Sequence, residues 1–205
     1  MESTHGALSV ETVPSVSPEP RHPPDAEFDR LLVAARGGDR DAWREIYEAL
    51  APGVLGYVRA RGASDPEDLT GEVFVQVVRD LASFEGGAAG FRAWVFTIAH
   101  HRLLDQRRLE TRRPQSVGEP VETVQVHGGD VEAEALERIS FRRVTGLLRS
   151  LSPDQRDVLL LRIVGDLSLE DVARVTGKRT GAVKQLQRRG LAAIRRQLER
   201  EEVAE

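Results

Sequence analysis

The chain has 205 residues, no cysteine and a formal net charge of −4, with 40% hydrophobic and 30% charged residues, a balance that suits one or two globular domains with cores of their own. The missing cysteines exclude a disulfide scaffold and thiolate metal sites. No apolar run approaches the ~20 residues that span a bilayer, and the N-terminus lacks a basic-then-apolar leader, so the expectation is a cytoplasmic protein with no membrane partner.

Period-two alternation is hard to find along the chain, whereas segments rich in Arg, Ala, Leu, Val and Glu recur at helical spacing, which predicts an all-α protein. Residues 1–27 hold five of the ten prolines with little apolar surface to offset the entropy of ordering, and read as a disordered tail. The first domain, 28–113, opens with FDRLLVAARGGDRDAWREIYEAL. Leu31, Leu32 and Ala35 precede a Gly37–Gly38 break, and Trp43, Ile46, Tyr47 and Leu50 follow at helical spacing.

In SDPEDLTGEVFVQVVRDL, Asp65 is placed to cap a helix, Pro66 stands at its first position, and Glu67 and Asp68 complement its positive end. Leu69, Val73, Val77 and Leu81 recur every four residues as one buried stripe. The acids from Asp65 to Asp68, with Glu72, read equally well as a solvated face or as a docking surface for a basic protein. The loop FEGGAAG then leads into FRAWVFTIAHHRLLDQRRLETRR, a long helix ended by Pro114, with six Arg against Asp105 and Glu110. Its basic residues and aromatics could hold a single nucleic-acid strand, although Trp94 and Phe96 read first as core. His100, His101 and Asp105 invite a metal reading that lacks a third ligand at useful spacing.

Residues 114–134 carry two prolines, Gly128–Gly129 and five acids with no Lys or Arg, and read as a flexible acidic linker. The second domain, 135–200, begins with a helix through Ala135–Arg149, and 201–205 form a C-terminal tail. Ser152-Pro153-Asp154-Gln155 and Ser168-Leu169-Glu170-Asp171 open two further helices in capping-box fashion. Counting Leu169 as one, Ala173 falls at five, Gly177 at nine, Val183 at fifteen and Leu186 at eighteen. Those positions must be small, turn-permitting, apolar and apolar in a helix-turn-helix.

The last helix carries KRTGAVKQLQRRGLAAIRR, with seven Lys or Arg and no acid. At roughly 100° per residue, Val183, Leu186, Gly190, Leu191 and Ile194 share one arc, while Lys184, Gln185, Arg188, Arg189, Arg195 and Arg196 occupy the other. A merely solvated face would intersperse acids; a basic face on the second helix of this motif fits the major groove of DNA.

DPEDLTGEVFVQVVRDL, FRAWVFTIAHHRLLDQRR and LSPDQRDVLLLRIVGDLSLEDVARVTGKRTGAVKQLQRRGLAAIRR, in this order, make the chain resemble bacterial extracytoplasmic-function (ECF) RNA polymerase sigma factors over about 28–200. The resemblance implies two helical domains, sigma domain two and a helix-turn-helix sigma domain four, and a non-enzymatic protein without cofactors. It implies core RNA polymerase as partner, contacted through Asp68, Glu72 and Phe74. Gly71 and Val78 stand where the family has glutamine and often tryptophan. It implies recognition and melting of the −10 promoter element by the loop Glu85–Gly90 and by Arg92, His100, His101, Arg102, Arg107 and Arg108. The −35 element would be read by Thr180, Lys184, Gln185, Arg188 and Arg189, with Leu186 at a position where the family often exposes arginine. The linker would thread the basic RNA channel of the polymerase, and an anti-sigma factor is a further implied partner. Two other readings of the residues stay open: a free-standing helix-turn-helix regulator, and an enzyme built on His100, His101 and Asp105.

Overall fold

The computed structural model describes residues 23–112 and 146–204. The proline-rich tail as far as residue 22, the acidic linker and the opening helix up to residue 145 lie outside the described residues, and of that helix the turn 146–149 is described. The helices are α1 (Asp25–Arg36), α2 (Arg40–Ala60), α3 (Pro66–Asp80), α4 (Ala88–Arg112), α5 (Pro153–Ile163), α6 (Leu169–Thr176) and α7 (Thr180–Ala204), with a 3-10 turn at Leu81–Ser83. Among the described residues no strand is present.

Local chemistry sets the boundaries. The Asp39 carboxylate accepts the Asp41 and Ala42 N–H groups to start α2, and Asp65 accepts the Asp68 N–H to start α3 behind Pro66. Ser152 and Ser168 each form a reciprocal capping box, with Gln155 and Asp171. Such caps satisfy N–H groups that have no partner inside the helix, each worth about 1 kcal/mol. Gly177 ends α6 at φ 65°, a left-handed conformation that costs glycine little.

The helices bury one continuous core. α1 packs on α2, α3 bridges α2 and α4, and Leu69, Val73, Val77 and Leu81 form the inward stripe of this region, none more than 6% exposed. α5, α6 and α7 pack on one another, and α6 also lies against α4. α5 and α7 cross closely at Gly190, where a Cβ would stand 2.8 Å from Leu159 Cδ1.

Two apolar positions of the sequence pattern depart from the core. Tyr47 is 41% exposed and meets the Phe74 ring edge-on, its ring centroid 4.7 Å away. Leu191 is 46% exposed. The helix crossing is centred on Gly190, and the next residue is rotated about 100° away from it.

Candidate nucleic-acid and polymerase interface

α7 has a buried apolar side and an exposed basic side. Val183 is fully buried and Leu186 and Ile194 are half-buried against the α5–α6 pair, so the opposite side, with Lys184, Gln185, Arg188 and Arg189, is exposed. Thr180 is half-buried at the helix start. Lys184, Arg188 and Arg189 form no ion pair with any described residue, whereas Lys178, just before α7 begins, is tied to Asp154 at 2.9 Å. Arg189, Gln185 and Leu186 line a shallow open pocket with Lys178, Arg179, Ala182 and Asp154. Cations left without carboxylate partners lose the least when they neutralise phosphate.

α4 is different, because most of its cations are already engaged. Arg92 is only 8% exposed and pairs with Asp25 at 2.9 Å. Arg102 donates to Glu72 Oε2 at 3.0 Å and to Gln76 Oε1 from both Nε and Nη2. Arg107 donates to the Arg61 carbonyl, and Arg108 pairs with Asp105 at 3.1 Å. His101 is exposed. His100 is only 6% exposed. Arg92 and His100, expected on the basis of the resemblance to face DNA, are therefore buried here, since each meets a polar partner far away in sequence.

The partners of His100 form a buried polar cluster between α2, α4 and α5. Arg61, 3% exposed, donates from Nη2 to Asp157 Oδ2 at 3.1 Å, and its Nε faces Oδ1. The Tyr57 hydroxyl lies 2.7 Å from His100 Nδ1 and 3.2 Å from Asp157 Oδ1. A carboxylate paired with guanidinium has no proton to give, so the Tyr57 hydroxyl donates to Asp157. It has one proton only, and His100 must then donate Nδ1–H to the Tyr57 oxygen. Burial, the larger cause, and the neighbouring Asp157 push the Tyr57 pKa up. Burial holds the His100 pKa below its ordinary value; Asp157 opposes this, and His101, Arg61 and Lys178 reinforce it.

α3 carries the candidate polymerase face. Asp68 and Glu72 are exposed on it. Phe74, expected at the contact, is 4% exposed and packs its ring against Trp43 and Tyr47, with centroids 6.4 and 4.7 Å away. It supports the face from beneath, because its side chain is rotated about 100° from that of the next residue, Val75, on the helix wheel. Val75 and Val78, 69% and 51% exposed, extend the face. Val75 had not been expected at this face, although its place off the Leu69–Val73–Val77 stripe is a readable signal of exposure.

Among the described residues no group of three or more His, Asp or Glu side chains could hold a metal ion, and no helix is long and apolar enough to cross a membrane.

Two family models match the chain, Sigma-70 region 2 over residues 46–113 and Sigma-70 region 4 over residues 141–194. The chain is 31% identical over 176 residues to the ECF RNA polymerase sigma factor BldN of Streptomyces coelicolor, covering 84% of this chain and 66% of that protein, just under two thirds of its length. It is 31% identical over 174 residues to the ECF RNA polymerase sigma factor SigD of Mycobacterium bovis, covering 82% of each. The fold matches the sigma factor RpoE of Bartonella quintana, solved in complex with the anti-sigma factor NepR, with a TM-score of 0.59 and 21% identity over 77% of this chain and 96% of that one.

Proposed function

The chain belongs to the extracytoplasmic-function family of RNA polymerase sigma factors and directs promoter recognition and transcription initiation, and we propose how its helices divide that work. α7 is the upstream anchor: Thr180, Lys184, Gln185, Arg188 and Arg189 enter the −35 major groove, where Lys and Arg meet phosphates and guanine edges. The observation that carries this assignment is the row of exposed cations on α7 that pair with no carboxylate among the described residues. The exposed face of α3, with Asp68, Glu72, Val75 and Val78, docks on core RNA polymerase.

The loop before α4, with His101, Arg102, Arg107 and Arg108, takes the −10 strand once it is displaced. Extracting a base costs a few kcal/mol of unstacking, which the cations offset together with the ring cluster Phe84, Phe91 and Trp94 next to the loop. Arg102 must exchange Glu72 and Gln76 for phosphate. His100 reaches DNA only if the Tyr57–Asp157 contact opens. The work is binding throughout, with no reaction catalysed by the chain, and the compartment that holds polymerase and promoter, the cytoplasm, is its place of action. An anti-sigma factor is a further partner in this reading, supported by the complex in which the Bartonella factor was solved.

The division is tested by permanganate footprinting of −10 thymines with reconstituted holoenzyme. His101→Ala with Arg108→Ala is expected to lower reactivity while upstream occupancy stays. Undiminished reactivity would remove α4 from the melting step.

A further inference from the structure

The loop that precedes α4, Glu85-Gly86-Gly87, offers one side chain longer than hydrogen, so a loop of this composition presents mainly its backbone to a base. Backbone groups discriminate only if their positions are held, and glycine is the residue that holds them least. What fixes this loop lies outside it. Asp29 of α1 accepts the Ala88 N–H on Oδ1 at 2.6 Å, where α4 begins. Arg36 of α1 donates from Nη2 to the Phe84 carbonyl at 2.7 Å and lies over the Phe84 ring, 5.5 Å from its centroid. That ring in turn stacks on Trp94 at 5.0 Å.

Gly87 is shaped to this brace: a Cβ there would stand 2.9 Å from Asp29 Oδ1, and Gly86 holds φ 140°, open only to glycine. Asp25, Asp29 and Arg36 lie within about 40° of one another on the α1 wheel, so one helix face carries all three ties, the first being the Asp25–Arg92 pair. A carboxylate at the start of α4 also complements the positive end of that helix. α1 lies before the region matched by the Sigma-70 region 2 model, which begins at residue 46.

We propose that Asp29 and Arg36 are positioning residues that set the backbone of the loop 84–88 and through it the base preference at the −10 element. The inference rests on the assignment of that loop to −10 recognition. Asp29 holds the C-terminal end of the loop by its acceptor oxygen, and Arg36 holds the N-terminal end by its donor and its ring contact. Loss of either lets the loop sample several conformations, so the preferred base loses its advantage while overall docking on polymerase persists.

The test uses holoenzyme reconstituted from core RNA polymerase and the full chain, with promoter DNAs that differ by single bases across the −10 element. Open-complex formation is read as the ratio of the preferred base to each alternative. Asp29→Ala and Arg36→Ala are expected to reduce that ratio about fivefold or more, the low end of what one good base contact is worth. Asp29→Asn, which keeps an acceptor oxygen for the Ala88 N–H, is expected to restore it. A merely structural role would lower activity on every promoter alike, and unchanged ratios in both alanine variants, or a uniform loss, would overturn the inference. Glu85→Ala, Gly86→Ala and Gly87→Ala run beside them as tests of the loop itself. If these three leave the base profile untouched, the assignment of the loop fails and the brace with it; if they shift it while the α1 variants do not, the brace alone is refuted.

Discussion

Removing Lys184, Arg188 and Arg189 together is expected to change the salt dependence of promoter binding more than any equal removal of charge from α4. The three side chains are exposed and form no ion pair with a described residue, so each is free to replace a condensed counterion on the DNA. Each phosphate contact contributes about 0.9 to the slope of log affinity against log salt. The triple alanine variant should then flatten the slope by about 2.7 if all three are backbone contacts. Between 50 and 200 mM salt the wild-type holoenzyme would lose about 40-fold more affinity than the variant. By contrast, Arg102 begins bound to Glu72 and Gln76, and phosphate must compete with that carboxylate, so Arg102→Ala should flatten the slope by well under one contact. The assay is fluorescence anisotropy of labelled promoter duplex with holoenzyme over a salt series. A triple variant with the wild-type slope would refute the placement of α7 on phosphate, and a larger effect at Arg102 would refute the argument from free against engaged cations.

Asp157→Ala leaves the Arg61 guanidinium buried without its carboxylate and should cost about 3–5 kcal/mol, whereas Tyr57→Phe, which strands only the His100 N–H, should cost about 1–3 kcal/mol; urea midpoints on the full chain measure both, and a loss under about 1 kcal/mol for Asp157→Ala would mean that α5 does not close on α2 in solution. The His100 pKa is lowered in the folded chain, so the unfolded chain binds this proton more readily. The stability from neutral His100 is whole above the ordinary histidine value near 6.5 and is lost as pH falls from there toward the folded value. The drop in urea midpoint between pH 7.5 and pH 5.5 should therefore be smaller in His100→Gln than in wild type, and an equal drop would contradict it. On α3, Asp68→Ala should weaken and Val75→Glu abolish co-purification with core polymerase while circular dichroism stays helical; intact association in both would displace the docking face.

Much of the fold was legible because it is written locally. Ser152, Ser168, Asp39 and Asp65 sit at helix starts whose N–H groups they accept, and Ala173, Gly177 and Val183 meet the demands of a tight two-helix turn at short range. The site was legible where its chemistry is local too: acid-free basic residues on one side of α7 need no distant partner to be exposed. What escaped the sequence depends on residues far apart in the chain. Arg92 looks like a DNA contact until Asp25 of α1 takes it, and His100 until Tyr57 and Asp157 enclose it. Phe74 could be assigned to the docking motif but not to a depth, since a rotation of one residue separates the face with Val75 from the core beneath Tyr47.

Run-off transcription with core polymerase and the purified chain on a genomic promoter library tests the central claim most directly. Transcripts are expected that require both the chain and the polymerase and that start downstream of a shared two-part element, lost when α7 carries the triple substitution. Full-strength binding of DNA by the chain without polymerase, with no promoter-specific transcript, would contradict it.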